Sequence, residues 1–233
     1  MSANFEKHRT SSQVKFDNFE LYTRRQALTR FVARYELFKQ ILSIKGSVIE
    51  CGVHHGGGLM AWAKLSAGLE PMAIHRRIYG FDTFDGFPSV HENDKGVVDN
   101  QHLQSGGFSA NITSYDYILD SVEEYNENRF LNQFDKVQLI KGDATKTIPE
   151  FIQSNQHLVV SLLFLDFDLY EPTKVAIDHF LPRMPKGSII AFDEINNPAW
   201  PGETKALIEG FGDLNKLHIQ KFYFEPNIAY IVL

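Results

Sequence analysis

The sequence predicts an α/β fold, with one open sheet of seven strands, mostly parallel, helices on both faces and an antiparallel last strand. Short apolar runs typical of strands alternate with amphipathic helical stretches along most of the chain. A turn rich in glycine, at positions 52–58, follows the first of these runs. The segment 218–233 has two apolar runs around a Glu-Pro-Asn turn, and strands joined so tightly must be antiparallel.

The order of helices and strands follows from the spacing of apolar residues. Residues 1–20 are polar and form an arm, after which apolar residues three and four apart predict a helix over 21–42. The predicted parallel strands are, in chain order, 47–51, 77–82, 136–140, 159–165 and 188–193. The helices predicted between and after them are 60–69, 115–129, 142–153, 171–181 and 203–211. We therefore expect an N-terminal arm and helix over 1–45 and one domain over 46–233.

One connection is too long for an ordinary loop. The stretch from about 83 to 112 is rich in glycine, phenylalanine and polar residues. Such a segment is typical of a lid that closes over ligands and excludes water. A contact between two copies of the chain would explain its aromatic residues equally well.

Composition and charge exclude several classes of function. The formal net charge of −6 disfavours nucleic acid as a partner, because phosphate binding requires a basic face. No run of about 18 apolar residues occurs, so we expect no membrane span. The single cysteine, Cys51, rules out an internal disulfide and a cysteine-based zinc site. Since the N-terminus is also polar and lacks an apolar signal core, we expect a cytoplasmic protein.

Acidic residues stand at the carboxyl end of every predicted parallel strand. Ligands of open α/β sheets bind beyond these ends, so the acids mark the expected site. Acids are also common helix N-caps, which would explain part of the set. In strand order they are Glu50, then Asp82, then Asp143, then Asp166 with Asp168, and finally Asp193 with Glu194.

The first two strand ends favour S-adenosylmethionine over a dinucleotide. Glycines between Gly52 and Gly58 would let a ligand approach the backbone, but their spacing is not that of a dinucleotide fingerprint. A pyrophosphate would be repelled by Glu50, whereas a sulfonium or an ammonium group would be attracted to it. Asp82, at the end of the second strand, can accept from two ribose hydroxyls.

The last two parallel strands predict a metal site. Asp166, Asp193 and Glu194 end strands that we expect to be neighbours, and three carboxylates there would repel one another. A hard divalent cation such as Mg²⁺ removes the conflict and prefers oxygen ligands. Alternatively, Asp168 caps the following helix, and Asp193 and Glu194 only form hydrogen bonds within their loop.

Four stretches together resemble one family. IECGVHHGGG, YGFDTFDGFP, LDFDLYEPT and FDEINNPAWPGETKA are similar to segments of the metal-dependent sugar O-methyltransferases of the macrocin O-methyltransferase type, and the resemblance covers about 34–211. It implies the class I methyltransferase (Rossmann-like) fold. It also implies transfer of a methyl group from S-adenosylmethionine to a hydroxyl of a sugar or glycosylated small molecule in natural-product biosynthesis. At least a dimer is expected, from the polar arm and the long lid.

The resemblance also assigns roles to residues. Asp166 is implied as the general base, beside the cofactor, and as a metal ligand together with Asp193 and Glu194. The residues implied for cofactor binding are Glu50, Gly52, Val53, Gly56 and Gly57 for the methionine part, Asp82 and Thr83 for the ribose, and Asp143 and Ala144 for the adenine. The chain departs from the family pattern at two places: Glu194 replaces a second aspartate, and His54 with His55 replaces a tryptophan–arginine pair.

Several alternatives stay open at this point. His54 and His55 fit either direct catalysis or plain polar contacts, Glu36 either a cofactor contact or a solvated helix face, and Trp200 either a pocket wall or an apolar plug. A catechol- or phenylpropanoid-type methyltransferase would share the fold and the metal. A nicotinamide-dependent dehydrogenase would need motifs that the sequence lacks. A non-catalytic protein would have no use for three converging acids.

Overall fold

The computed structural model describes residues 3–98, 100–109 and 113–233, which contain one seven-stranded sheet. Its strands are Ser47–Cys51 (β1), Ile78–Asp82 (β2), Val137–Lys141 (β3), Val160–Leu165 (β4), Ile189–Phe192 (β5), Gln220–Lys221 (β6) and Ala229–Val232 (β7). Their order across the sheet is β3-β2-β1-β4-β5-β7-β6. Strands β1 to β5 are parallel, and β7 is antiparallel to both β5 and β6. The predicted α/β fold with an antiparallel last strand is confirmed.

The helices after residue 24 agree with the predicted ones except at their ends, whereas the two short helices of the arm were not predicted. They are Ala3–Lys7 (α1), Ser12–Asp17 (α2), Arg25–Gln40 (α3), Gly57–Leu69 (α4), Thr113–Glu127 (α5), Ala144–Ser154 (α6), Tyr170–Phe180 (α7) and Pro201–Phe211 (α8). Helix α3 begins later than predicted because Arg24 is extended. Helix α8 begins earlier, since Pro201 fits a first turn where no N–H is needed. In the described part of the chain, no helix combines the length and the hydrophobicity needed to cross a bilayer.

Two apolar layers, one on each face of the sheet, form the core. On one face, under α3, α4 and α5, the ring of Trp62 lies between Phe38 and Phe164, at centroid distances of 6.5 and 5.6 Å. On the other face, under α6, α7 and α8, Phe81 meets Phe180 at 5.7 Å. Strands β1 and β4 are buried along their whole length because both of their faces are covered.

Helix α3 is part of this core. Its residues Ala33, Leu37 and Phe38 are fully buried against the sheet. At the helix end, the buried guanidinium of Arg76 donates to the carbonyl oxygen of Ile41 at 2.9 Å and to the Ser161 hydroxyl at 2.5 Å. These bonds attach the end of α3 to β4, so the helix has a defined position on the sheet.

The segment 83–109, most of the predicted lid, is attached to the start of α7. The buried carboxylate of Asp94 accepts a hydrogen bond from the backbone N–H of Tyr170 at 2.6 Å and one from the backbone N–H of His91 at 2.8 Å. Residues 99 and 110–112 of the predicted lid lie outside the described residues. The attachment fixes the middle of the segment beside the strand ends, and closure over a ligand stays a prediction.

Candidate active site

A pocket of about 490 Å³ opens at the carboxyl ends of the parallel strands. Its walls come from α3, the loop after β1, the segment 83–109, the start of α6, and the loops after β4 and β5. Gly56, which was predicted to bind the cofactor, is not in the pocket wall, and a Cβ there would meet the side chain of Ile118. The predicted site residues in the wall are Glu50, Gly52, Val53, Gly57, Asp82, Thr83, Asp143, Ala144, Asp166, Asp193 and Glu194.

The loop after β1 depends on glycine for its shape. Gly52 has φ of +90°, and a Cβ there would overlap the carbonyl oxygen of Asp166. Gly56 has φ of +83° and forms the N-cap of α4 in the left-handed region. Backbone in these conformations strains any other residue. The loop therefore passes close to the end of β4 and brings the backbone of β1 and the carboxylates of β4 into one cavity.

Asp82 holds this loop in place. Its Oδ2 accepts hydrogen bonds from the backbone N–H groups of Val53 and His54, each at 2.8 Å, and its Oδ1 accepts from that of Phe84 at 2.7 Å. A carboxylate has about four acceptor positions, so one more hydrogen bond remains available. Asp82 can thus accept from one ribose hydroxyl in this arrangement, whereas the sequence had suggested two.

Glu50 is a buried acid of the cavity, at the end of β1. It is 1% exposed, and its Oε1 lies 3.9 Å from the guanidinium of Arg34. Burial raises its pKa to about 7, although Arg34 opposes the rise. Its Oε2 is buried and has no partner at full hydrogen-bond geometry among the described residues, although the nearby indole N–H of Trp62 also opposes the rise in pKa. An unsatisfied carboxylate oxygen at this depth is suited to a cationic donor from a ligand.

The start of α6 forms a third wall. Asp143 is the N-cap of the helix and accepts from the backbone N–H of Thr145 at 3.0 Å. Ala144 follows it in the pocket wall. Thr83 also lines the pocket, but its hydroxyl donates to the carbonyl oxygen of Gly86 at 2.7 Å. These residues lie at the ends of β2 and β3, as the sequence predicted.

The structure brings Asp166 and Asp193 together across a single cation. The Nη2 atom of Arg30, from α3, lies 3.0 Å from Asp166 Oδ2 and 3.0 Å from Asp193 Oδ2. Asp193 is nearly buried, and its Oδ1 has no hydrogen-bond partner in the described part of the structure. The two strand-end acids are therefore neighbours, as expected, with a guanidinium between them.

Glu194 points into a different contact. Its carboxylate accepts a hydrogen bond from the side-chain amide of Asn197 in the loop after β5. Among residues 3–98, 100–109 and 113–233, no group of three or more His, Cys, Asp or Glu side chains is arranged to hold a metal ion. The predicted three-ligand metal site thus stays a prediction.

Mutual repulsion and burial raise the pKa values of the acids in this cluster. Burial and the neighbouring Asp193 raise the pKa of Asp166, and Arg30 opposes the rise. Burial followed by Glu194 raises the pKa of Asp168 to about 8. Burial is also the main cause of the raised pKa of Glu194. Arg30 and the more distant Arg34 do not offset this burial and repulsion, so further positive charge would stabilise the cluster.

Asp168 does not cap the following helix. The N-cap of α7 is Leu169, without a side-chain hydrogen bond, because Asp168 itself adopts φ of +62°. Its backbone N–H donates to Glu203 Oε1 at 3.2 Å. The alternative that explained Asp168 as a helix cap is therefore wrong.

An aromatic wall faces the acids from the segment 83–109. Phe108 packs against Trp200 at a centroid distance of 5.6 Å and stacks on His102 at 4.9 Å. Phe87 meets Trp200 at 6.0 Å. Phe87, Phe108 and Trp200 all line the pocket, so Trp200 is part of its wall.

The structure also shows the surroundings of the other residues whose roles the sequence leaves open. Burial and the adjacent His55 lower the pKa of His54, which favours its neutral form. His55 Nδ1 lies 3.0 Å from the Ser114 hydroxyl. Glu36 lies on the solvent side of α3, where it pairs with Lys39 at 3.3 Å, so the solvated helix face is the interpretation that the structure supports.

Sequence reasoning missed Arg30 and Arg34, which both line the pocket. They lie four residues apart on α3 and so share one helix face. That spacing is visible in the sequence, but it does not say that the face points at the strand ends. The docking angle of α3 on the sheet decides it.

Comparison with known proteins identifies the family. A family model described as macrocin-O-methyltransferase (TylF) matches residues 23–220. The chain belongs to the macrocin-O-methyltransferase family. The family to which the four stretches pointed is thereby confirmed, and the match reaches beyond them at both ends.

Comparison with individual proteins agrees with this assignment. The 8-demethyl-8-(2,3-dimethoxy-alpha-L-rhamnosyl)-tetracenomycin-C 4'-O-methyltransferase of Streptomyces olivaceus is 25% identical over 154 residues, or 65% of this chain and 53% of that protein. The match thus spans about half the length of that curated relative. The crystal structure of CalS11, a calicheamicin methyltransferase, has a TM-score of 0.91 at 32% identity and covers 97% of this chain and 86% of that one. An apo structure of CalS11, described as a TDP-rhamnose 3'-O-methyltransferase, gives 0.80 at 30% identity, with 97% and 88% covered.

Proposed function

We propose that this protein transfers a methyl group from S-adenosylmethionine to a hydroxyl of a sugar or glycosylated small molecule. One observation carries the proposal: a single pocket joins the buried carboxylate of Glu50 to the acid pair Asp166 and Asp193. The first end suits a cationic donor, and the second suits a hydroxyl that must lose a proton. Two of the relatives have names that contain rhamnosyl or TDP-rhamnose, which favours a sugar over a planar diol as the acceptor.

The donor end fits S-adenosylmethionine by its chemistry. Bound there, the cofactor would supply an electrophilic methyl group on a sulfonium. Glu50, with its unpartnered Oε2, would accept from the ammonium group. Asp82 retains one acceptor position for a ribose hydroxyl, and Asp143 with Ala144 would border the adenine. Gly52 lets the loop after β1 lie against the end of β4, and the methionine part would run along this loop.

At the acceptor end, Asp166 is the proposed general base. Its pKa is raised by burial and by Asp193, which makes its carboxylate a better proton acceptor. Phe108 and Trp200 would face the apolar side of a sugar ring and exclude water. Positioning of the hydroxyl in line with the methyl group would supply much of the acceleration.

The acid pair also fits Mg²⁺ or another hard divalent cation. Asp166 and Asp193 offer only oxygen ligands, and Asp193 Oδ1 is buried without a hydrogen-bond partner among the described residues. When bound, such a cation would lower the pKa of the acceptor hydroxyl. Glu194 would have to leave Asn197 to join as a third ligand.

Self-association belongs to the same proposal. Apolar side chains of the arm are exposed, with Phe16 and Leu21 each at 67%. Large exposed apolar side chains on one short segment are typical of a contact between protein copies. A homodimer formed through the arm would cover them.

Calorimetric titration of S-adenosylmethionine and of its demethylated product tests the donor end. We expect binding to the wild type both with Mg²⁺ and after chelation, and binding weaker by roughly tenfold or more in Glu50→Gln, which loses a charge-assisted hydrogen bond. Glu36→Gln, an exposed change on α3, is the matched control. Absence of cofactor binding by the wild type would contradict the proposal.

Product detection tests the acceptor end. Incubation with nucleotide sugars and S-adenosylmethionine should give a product heavier by one methyl group, detected by mass spectrometry. Asp166→Asn should bind the cofactor as the wild type does and form product at least about a hundredfold more slowly, the usual loss when a general base is removed. An Asp166→Asn enzyme of wild-type rate would exclude Asp166 as the base.

A further inference from the structure

Arg30 lies where a cation shared by the two strand-end acids would lie. One guanidinium nitrogen is 3.0 Å from an oxygen of Asp166 and 3.0 Å from an oxygen of Asp193. Arg30 comes from α3, whereas the acids follow β4 and β5. The chain thus supplies a positive charge to its own acid pair from a different element.

This guanidinium and a divalent cation exclude one another. Mg²⁺ draws its oxygen ligands to about 2.0–2.1 Å, and the same Oδ2 atoms of Asp166 and Asp193 now face Arg30. A divalent ion inserted between them would lie against a fixed positive charge. Entry of the ion at these Oδ2 atoms therefore requires Arg30 to leave.

A further acid, Glu225, is available to Arg30 when it leaves the pair. Glu225, in the turn between β6 and β7, is nearly buried and adds to the electrostatic attraction on Arg30. Its Oε2 already accepts from the hydroxyl of Thr29, the residue before Arg30, at 3.3 Å. Because α3 and this turn are in contact there, the guanidinium can exchange one carboxylate for another while it stays partly buried.

We propose that Arg30 competes with a divalent cation for Asp166 and Asp193 and moves to Glu225 when the cation binds. The inference rests on the proposed function only for the assignment of the cation to these acids. Arg30 neutralises the acid pair before the cation binds. It also weakens the apparent affinity of the site for the cation, because only those protein molecules in which Arg30 has left the acids can bind it.

Titration of Mn²⁺ into the full-length protein, followed by the electron paramagnetic resonance signal of the free ion, tests this competition without cofactor or acceptor. We expect Arg30→Ala to bind Mn²⁺ roughly tenfold more tightly than the wild type, a usual size of coupling between two ligands of one site. Arg30→Lys keeps a competing charge and should stay near the wild type. Arg25→Ala, an exposed change on the same helix, is the control. Equal or weaker binding in Arg30→Ala would overturn the proposal.

Glu225→Gln gives a second, opposite expectation. The change removes the negative charge to which Arg30 moves, so it should weaken Mn²⁺ binding when Arg30 is present. In the double variant with Arg30→Ala it should have no effect on Mn²⁺ binding. A merely structural role of Glu225 would weaken binding in both backgrounds and would overturn the exchange.

Asp193→Asn separates failure of this inference from failure of the cation assignment. If wild type and Arg30→Ala bind Mn²⁺ equally and both lose it in Asp193→Asn, the assignment stands and the competition is wrong. If no variant binds Mn²⁺, the competition and the cation are both wrong. Calorimetry with S-adenosylmethionine on the same samples then reports separately on the donor end.

Discussion

The carboxyl group of Glu50 lies inside the protein with Arg34 as its cationic neighbour. Burial raises its pKa from 4.5 to about 7. The folded state therefore holds the proton more tightly than the unfolded chain does. The contribution of Glu50 to stability is most favourable below pH 4.5, falls as the pH rises from about 4.5 to about 7, and stays constant above that.

Glu50→Gln should remove this pH dependence because glutamine does not ionise. Relative to the wild type, the variant should gain stability as the pH rises from about 5 to about 8, by at most about 3 kcal/mol. Urea unfolding midpoints at intervals of one pH unit measure the difference. If the stability difference between the variant and the wild type does not change with pH, the pKa of Glu50 is not raised in the folded protein.

At the scale of secondary-structure elements, Glu203 on α8 connects the two acid-bearing loops. Its carboxyl group is fully buried, with Oε1 accepting from the backbone N–H of Asp168 at 3.2 Å and Oε2 from that of Glu194 at 3.1 Å. Burial, with Asp168 as the next cause, raises its pKa. A single side chain thus holds the loop after β4 and the loop after β5 in register.

Glu203→Gln should destabilise the protein by about 1–3 kcal/mol. One of the two backbone N–H groups would then face the side-chain NH₂ group of glutamine, which donates hydrogen bonds and cannot accept them. Glu209→Gln on the same helix is the control, since its hydrogen bond to the Tyr170 hydroxyl is exposed. Free energies of unfolding from urea titration compare the two variants. Equal values would show that the loops keep their register without Glu203.

At the scale of the whole molecule, the arm and α3 have different relations to the core. Phe5 packs edge-on against Phe16 at 6.4 Å and Tyr22 at 5.5 Å, so the arm forms a small cluster of its own. Leu37 and Phe38 of α3 are fully buried in the main core. We therefore propose that the separable part of the chain ends before α3, whereas the sequence had suggested a boundary at 45.

Removal of residues 1–22 should leave a folded, cofactor-binding and monomeric protein, since the exposed Phe16 and Leu21 are removed with the arm. Removal of residues 1–45 should give a protein that does not fold, because each large buried side chain lost from a core costs about 2–5 kcal/mol. Light scattering after size exclusion, together with thermal unfolding, distinguishes these outcomes. A monomeric full-length chain would contradict self-association through the arm.

Much of this architecture could be predicted from local chemistry along the chain. Alternating apolar runs specify the strands and helices, and the glycines after β1, together with acids such as Glu50, Asp82 and Asp166, mark the strand ends where ligands bind. These signals are local, because a residue's propensity and the period of burial depend on near neighbours in sequence. For that reason the fold and the family could be predicted from the sequence.

Only the tertiary structure decided how those residues are used. Asp82 is largely occupied by backbone N–H groups, and Asp168 is held by Glu203 instead of capping α7. Arg30 stands between Asp166 and Asp193, which are 136 and 163 residues further along the chain. Contacts over such separations depend on how α3 and α8 dock on the sheet, and the spacing of residues within either helix does not contain that angle.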